Sequence, residues 1–151
     1  MPIPDTVAVD TVAVAEALRP SLMRISRELR REARAVGVSP EQVSLLVAIK
    51  DDPGIGVRHL AARERISPPA MTKHVDRLER DGLVARTPSP ADRRRVGLTL
   101  TEEGQRALRR VRSRRTAWLA TRLRGLTPGE LAALAAAVEP LSKLLHSEEG
   151  R

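Results

Sequence analysis

One stretch, residues 66–104, limits the folds open to this chain more than any other. It begins with a helix whose two ends are marked in the sequence. Ser67 suits an N-cap, and Pro68 suits the first helical turn, where a missing N–H costs nothing. Met71, Val75 and Leu78 recur at i, i+4 and i+7, which gives one apolar face. Gly82 follows as a left-handed stop. Leu83–Thr87 then reads as a short strand, and Val96–Leu100 as a second, with apolar residues alternating at Val96, Leu98 and Leu100. The connection between them, Pro88–Arg95, is rich in proline and charge. A shorter helix at 57–65 precedes the set and puts Val57, Leu60 and Ala61 on one face, with Ile66–Ser67 as the link. Helix, turn, helix, strand, basic loop, strand is the layout of a helix-turn-helix followed by a β-wing.

In such a motif the second helix lies in the DNA major groove and its early residues meet base edges. With Met71, Val75 and Leu78 inward, the outward residues are Pro69, Ala70, Thr72, Lys73, Asp76 and Arg77, with His74 at the margin. That face offers hydrogen-bonding and cationic groups to bases and phosphates, and small apolar groups to a thymine methyl. For His74, packing against the core is an equally open reading.

The segment closely resembles the multiple-antibiotic-resistance regulator (MarR) family of winged-helix repressors. The residues that carry the resemblance are Leu78–Arg86, Asp92-Arg93-Arg94, and Leu98–Gly104, in that order and spacing. The similarity in layout extends over roughly residues 12–146. The resemblance implies that Arg94 enters the minor groove from the wing tip while Asp92 holds its guanidinium. Arginine is favoured in narrow, electronegative minor grooves, and a nearby carboxylate can orient it. Arg86, Arg93 and Arg95 are expected at phosphates. In the recognition helix the resemblance points to Pro69, Ala70 and Lys73 as base-facing, with Ser67, Thr72, His74 and Arg77 nearby. A solvated basic loop is the alternative for the wing.

The ends of the chain read as long helices. One runs from about Thr11 to Val36, with Leu18, Leu22, Ile25 and Leu29 as a narrow stripe. Pro20 predicts a bend or late start, and residues 1–10 read as a frayed arm. After Gly37, Ser39-Pro40-Glu41-Gln42 is a strong start: N-cap, proline at N1, and Gln at N3 for a capping box. Val43, Leu46, Val47 and Ile49 supply the core side of a helix ending near Asp51. Asp52-Pro53-Gly54 is a turn, and Ile55 is placed to add a third, minimal strand to the wing. Thr101 caps a helix over 102–125 with Leu108, Val111, Trp118, Leu119 and Leu123 as its stripe. Thr127-Pro128-Gly129-Glu130 opens the last helix, where Leu131, Leu134, Val138, Leu141 and Leu145 form a heptad-like seam and Pro140 predicts a kink. The tail from Ser147 reads as disordered.

Composition explains why those terminal stripes look surplus. At 151 residues the chain is one domain by length, yet it has no Phe or Tyr and one Trp, Trp118. An aliphatic core of that kind is thin for a monomer. The expected architecture is therefore mainly α with a small β-wing: a winged helix-turn-helix lobe at 39–101 flanked by dimerisation helices at 11–36 and 102–146.

The formal net charge of +8 agrees with a polyanionic partner. Only three of the 27 basic residues are lysines: Lys50, Lys73 and Lys143. The absence of cysteine excludes a disulfide framework and thiol sensing, and with it the peroxide-sensing branch of the resembling family. His59, His74 and His146 are scattered without spaced carboxylates, so neither a metal site nor acid–base catalysis is expected. No phosphate-cradling glycine loop is present, and no cofactor is expected. No apolar run approaches membrane-spanning length and no signal peptide is visible, which reads as a soluble cytoplasmic protein.

The expected function is that of a homodimeric, sequence-specific regulator of transcription, a repressor on the resemblance, bound to double-stranded DNA. A small aromatic acid is the implied effector, with Arg24 and Arg115 as candidate carboxylate partners. Arg115 falls on the apolar side of its helix, where a snorkelling or ion-paired arginine is the alternative. An architectural DNA-binding protein without an effector remains the other reading.

Overall fold

In the computed structural model, which describes residues 9–89 and 92–146, four helices precede one hairpin and two follow it, as expected. The order is α1 (Thr11–Arg34), α2 (Pro40–Asp51), α3 (Val57–Arg63), α4 (Pro68–Arg80), β1 (Val84–Pro88), β2 (Val96–Leu100), α5 (Glu102–Leu123) and α6 (Pro128–His146). Expectations for residues 1–8, for Pro90 and Ala91, and for the tail from Ser147 fall outside the described residues. The chain divides into one compact unit that runs to Arg115 and a second that starts at Thr116. No helix among the described residues is long and apolar enough to cross a membrane.

The helix starts are set by side chains. Asp10 accepts from the Val12 and Ala13 amides and begins α1. The expected late start at Pro20 does not occur, because the segment ahead of the proline has this cap of its own and the helix runs unbroken through Pro20. Gly37, at φ +80°, turns the chain out of α1. The capping box of α2 forms as expected: Ser39 Oγ accepts from the Gln42 amide at 3.1 Å, and Gln42 Oε1 accepts from the Ser39 amide at 3.0 Å. The Gln42 amide group also donates to Asp81 Oδ2, tying the start of α2 to the end of α4.

The core lies in the first unit. Leu46, Ile49, Leu60, Met71, Leu78 and Leu98 are fully buried there. On α2 the apolar face differs from expectation. Leu45 and Ala48 are buried, whereas Val47 is 42% exposed. A single stripe was expected, but other elements cover this helix on more than one side. At roughly 1.5–3 kcal/mol for each fully buried aliphatic side chain, these residues dominate the stability of the lobe.

The hairpin pairs antiparallel with Val84 opposite Leu100 and Pro88 opposite Val96. Ile55 joins it through an isolated bridge to Leu98, as expected. This third segment approaches so closely that a Cβ on Gly97 would overlap the Gly54 backbone. Gly104 is equally constrained, because a Cβ there would meet the Leu83 carbonyl.

The second unit holds the end of α5 and all of α6. Thr127 and Glu130 form a capping box, and α6 continues as one helix through Pro140. Leu131, Leu134, Val138, Leu144 and Leu145 are all exposed along it. In the same unit the Arg122 guanidinium lies 3.7 Å over the Trp118 ring.

Candidate nucleic-acid interface

The turn between α3 and α4 is tight. Arg65 takes φ +53°, unusual for a residue with a side chain, and the Ile66 amide donates back to the Ala61 carbonyl at 2.9 Å. Ser67 occupies the N-cap position of α4, but its side chain makes no cap hydrogen bond among the described residues. Its hydroxyl is left at the surface beside the first helical turn.

Burial sorts α4 into two faces. Met71, Val75 and Leu78 are inward and fully buried. Pro69, Thr72, Lys73, Asp76 and Arg77 are exposed, while Ala70 and His74 are half-buried at the margin. The Thr72 hydroxyl donates to the Pro68 carbonyl at 3.0 Å, so its proton is engaged and the oxygen can serve a partner only as an acceptor. Lys73 and Arg77 lie four residues apart, one turn of the same exposed face.

The hairpin carries its cations on a short turn. The Ser89 amide donates to the Arg95 carbonyl at 2.7 Å, and the Arg95 amide to the Asp92 carbonyl at 2.9 Å. Asp92 does not reach the Arg94 guanidinium, which was the expected contact. Its Oδ1 accepts from the Arg94 backbone amide at 2.9 Å, and Oδ2 lies 3.8 Å from Arg95 Nε. The carboxylate therefore fixes the loop backbone, as a short aspartate at a turn does readily. Asp92, Arg93, Arg94 and Arg95 are all exposed.

Arg86, a candidate for a phosphate contact, is exposed and also makes contacts within the lobe. From β1 its guanidinium reaches α4, with Nη2 2.7 Å from Asp76 Oδ1 and Nε 2.8 Å from Glu79 Oε2. Sequence reasoning missed this pair of contacts. The partners are seven and ten residues away, and only the packing of strand on helix brings them together.

Thr101 closes the base of the hairpin. Its hydroxyl donates to the Gly82 carbonyl at 2.6 Å and accepts from the Gly104 amide at 3.0 Å. Beyond it, Glu103 is held below the ordinary carboxylate range by its hydrogen bond from Arg110, with Arg106 adding to the effect.

The two arginines considered for an effector do not meet. Arg115 donates Nε to the Leu29 carbonyl at 3.0 Å and borders a cavity of about 540 Å³ that Arg30, Ser44, Val47 and Arg63 also line. The neighbouring Arg114 pairs with Glu32 at 3.0 Å. Arg24 lines a depression on α1 with Leu22, Met23 and Arg27, and Arg30 borders both this depression and the cavity at Arg115.

Known proteins share this arrangement. Residues 38–96 match the model of the MarR family. An HTH-type transcriptional regulator of Mycobacterium tuberculosis is 34% identical over 132 residues, which span 87% of this chain and 92% of the relative. The HTH-type transcriptional repressor MdtR of Bacillus subtilis is 32% identical across 88% of this chain and 86% of its own. Among solved structures, the multiple antibiotic-resistance repressor of Listeria monocytogenes superposes with a TM-score of 0.71 at 25% identity, covering 93% of this chain and 99% of that one.

Proposed function

The chain belongs to the MarR family of winged-helix transcriptional regulators, and from that premise we propose that it represses transcription as a homodimer bound to a pseudo-palindromic operator. The observation that carries this reading is the outward face of α4 beside a turn bearing Arg93, Arg94 and Arg95. The early turns of α4 enter the major groove, with Pro69, Ala70 and Lys73 at base edges and Ser67, Thr72, His74 and Arg77 around them. Arg94 enters the adjacent minor groove, and Arg93 and Arg95 meet phosphates. Asp92 contributes by fixing the loop backbone through the Arg94 amide. Arg86 holds β1 to α4 and keeps an exposed edge for a phosphate.

The dimer is built from the chain ends, 11–36 and 102–146. Exposed apolar side chains on α1 (Val12, Leu22, Met23) and along α6 support this part. A two-fold protein then meets half-sites about 10 bp apart, one helical turn. An aromatic acid is a fitting effector for the cavity bordered by Arg30, Arg63 and Arg115, whose three guanidinium groups outnumber the two carboxylates there, Glu41 and Glu64, and where Val47 supplies an apolar wall. Arg24 lines the adjoining depression, which shares Arg30 with that cavity.

Genome-wide selection of bound DNA fragments, with and without a panel of aromatic acids, tests the reading. A shared inverted repeat with half-sites one turn apart, lost on addition of an acid, is the expected result. Fragments without a common sequence, bound with a steep salt dependence and indifferent to every acid, would instead mark an architectural DNA-binding protein.

A further inference from the structure

A second cavity of about 540 Å³ lies in the first unit, between the C-terminal end of α2, the strand β2 and the first half of α5. It shares no lining residue with the cavity at Arg115. Its apolar lining comes from Ile49, Pro53, Leu100 and Leu108. Around it stand Lys50, Arg109 and Arg112, with Thr99 and Gln105 as neutral hydrogen-bonding groups. On α5 the four contributing residues, Gln105, Leu108, Arg109 and Arg112, fall at i, i+3, i+4 and i+7, so one helix face supplies both the leucine and the two guanidinium groups.

The pairing of cations along α5 singles this face out. Arg106 pairs with Glu102 and Glu103, and Arg110 with Glu103. Arg114 pairs with Glu32, and Arg115 donates to the Leu29 carbonyl. Among the described residues, Arg109, Arg112 and Lys50 have no such partner, and these are the three cations at the cavity. Positive charge gathered at an apolar concavity, and left uncompensated, fits a ligand that brings both the anion and the apolar body.

We propose that this cavity binds a small organic anion with a flat or aliphatic body and at least two negative charges, as carboxylates or phosphate. Lys50, Arg109 and Arg112 hold the charges, Thr99 and Gln105 orient them, and Ile49, Leu100 and Leu108 cover the body. The volume falls within the range of roughly 300–1,000 Å³ usual for small-molecule sites. A DNA backbone is a poorer occupant, because phosphodiesters bring nothing to cover the leucines. Thr99 and Leu100 belong to β2, so the occupant presses on the strand that carries the wing.

The test uses the full chain with isoleucine, leucine and valine methyls labelled for NMR, and three probes: naphthalene-1,5-disulfonate, naphthalene-1-sulfonate and inorganic phosphate. The disulfonate is expected to bind most tightly and to shift the Ile49, Leu100 and Leu108 methyls. The double variant Arg109→Ala, Arg112→Ala should weaken it by about tenfold or more, while Arg30→Ala, at the other cavity, leaves it unchanged. If circular dichroism shows that the double variant does not fold, Lys50→Glu, at an exposed helix end, takes its place and should weaken binding to a similar degree. Shifts confined to Val43 and Val47, undiminished affinity in the Arg109/Arg112 or Lys50 variant, or phosphate binding as tightly as the disulfonate would each overturn the proposal. So would a double variant that loses DNA affinity when no probe shifts the wild-type methyls, because the arginines would then be phosphate contacts.

Discussion

The middle of the chain and its last helix use the same aliphatic residues to opposite ends. In the middle, Leu46, Ile49, Leu60, Met71 and Leu78 are each 0% exposed, and what faces solvent on α4 and the hairpin turn is polar or charged, with Lys73, Arg77, Arg93, Arg94 and Arg95 among it. On α6, Val138 is 62% and Leu145 79% exposed, and large apolar side chains face solvent beside charged ones such as Glu139 and Lys143. The first region satisfies its own hydrophobic residues and leaves charge uncovered. The second leaves hydrophobic residues uncovered. A polyanion answers the first deficit, and a second apolar surface answers the other. The two regions should therefore respond differently to the same kind of substitution.

The largest effect is expected in the middle. Leu46→Ala should lower unfolding free energy by ~2–5 kcal/mol in urea titrations, from lost burial and the cavity left behind. Leu145→Ala should change it by no more than about 0.5 kcal/mol at concentrations where association does not contribute. Equal costs at the two sites would erase the contrast. Next comes association. Leu134→Glu combined with Val138→Glu should weaken the proposed dimer by roughly a hundredfold, at ~1.4 kcal/mol or more for each carboxylate buried unpaired. Sedimentation should then report monomer at micromolar concentration with an unchanged helical spectrum. A persistent dimer would move the interface away from α6.

Effects on DNA are expected to be somewhat smaller. Arg94→Ala should cost about 2–3 kcal/mol of operator affinity, as loss of a charged hydrogen-bonding group, with folding intact. Asp92→Ala should weaken binding too, by freeing the loop backbone that the carboxylate holds through the Arg94 amide. Charge counting gives Asp92→Ala the opposite sign, so tighter binding at fixed salt would reduce the turn to a generic basic loop. Lys73→Ala should cost about 1–3 kcal/mol on the preferred site and much less on random DNA. Equal losses on both would reassign Lys73 to phosphate.

The smallest effect is at the start of α6. Glu130 is held below its ordinary value of 4.5, chiefly by the Thr127 backbone amide and then by the Thr127 hydroxyl. A carboxylate depressed in the folded state stabilises it above the unfolded value, and that contribution disappears as pH falls through the depressed one. The Thr127 amide resonance should therefore titrate with a midpoint below 4.5, and the titration should vanish in Glu130→Gln. A midpoint at or above 4.5 would remove the capping box from solution.

What the sequence made legible was local. Ser39 with Gln42, Thr127 with Glu130, and the stop at Gly82 each involve partners within a turn of one another, where residue type dictates geometry. The Met71, Val75, Leu78 stripe was equally clear, because α4 is covered on one side only. Legibility failed where tertiary packing decides. Periodicity favoured Val47 over Leu45 and Ala48, since a stripe model knows nothing of the elements that surround α2. Asp10 was passed over as part of an unpatterned arm although its carboxylate begins α1. At the site, the resemblance paired Asp92 with the Arg94 guanidinium, whereas the carboxylate accepts from the Arg94 main chain. The cations at 50, 109 and 112 carried no signal until α2 and α5 were placed beside β2.

Arg86 sits on a strand, yet it is fastened to a helix at two points, Asp76 and Glu79. In the proposed complex that strand leads to the minor-groove arginine, and that helix reads the major groove. Fastened together, they meet the duplex as a stencil of fixed pitch instead of two independently jointed probes. An operator whose grooves do not present themselves at that pitch must be twisted or bent to fit, and the energy of misfit falls on the nucleic acid. Base pairs that no side chain touches, lying between the two points of contact, would then influence affinity through their stiffness alone.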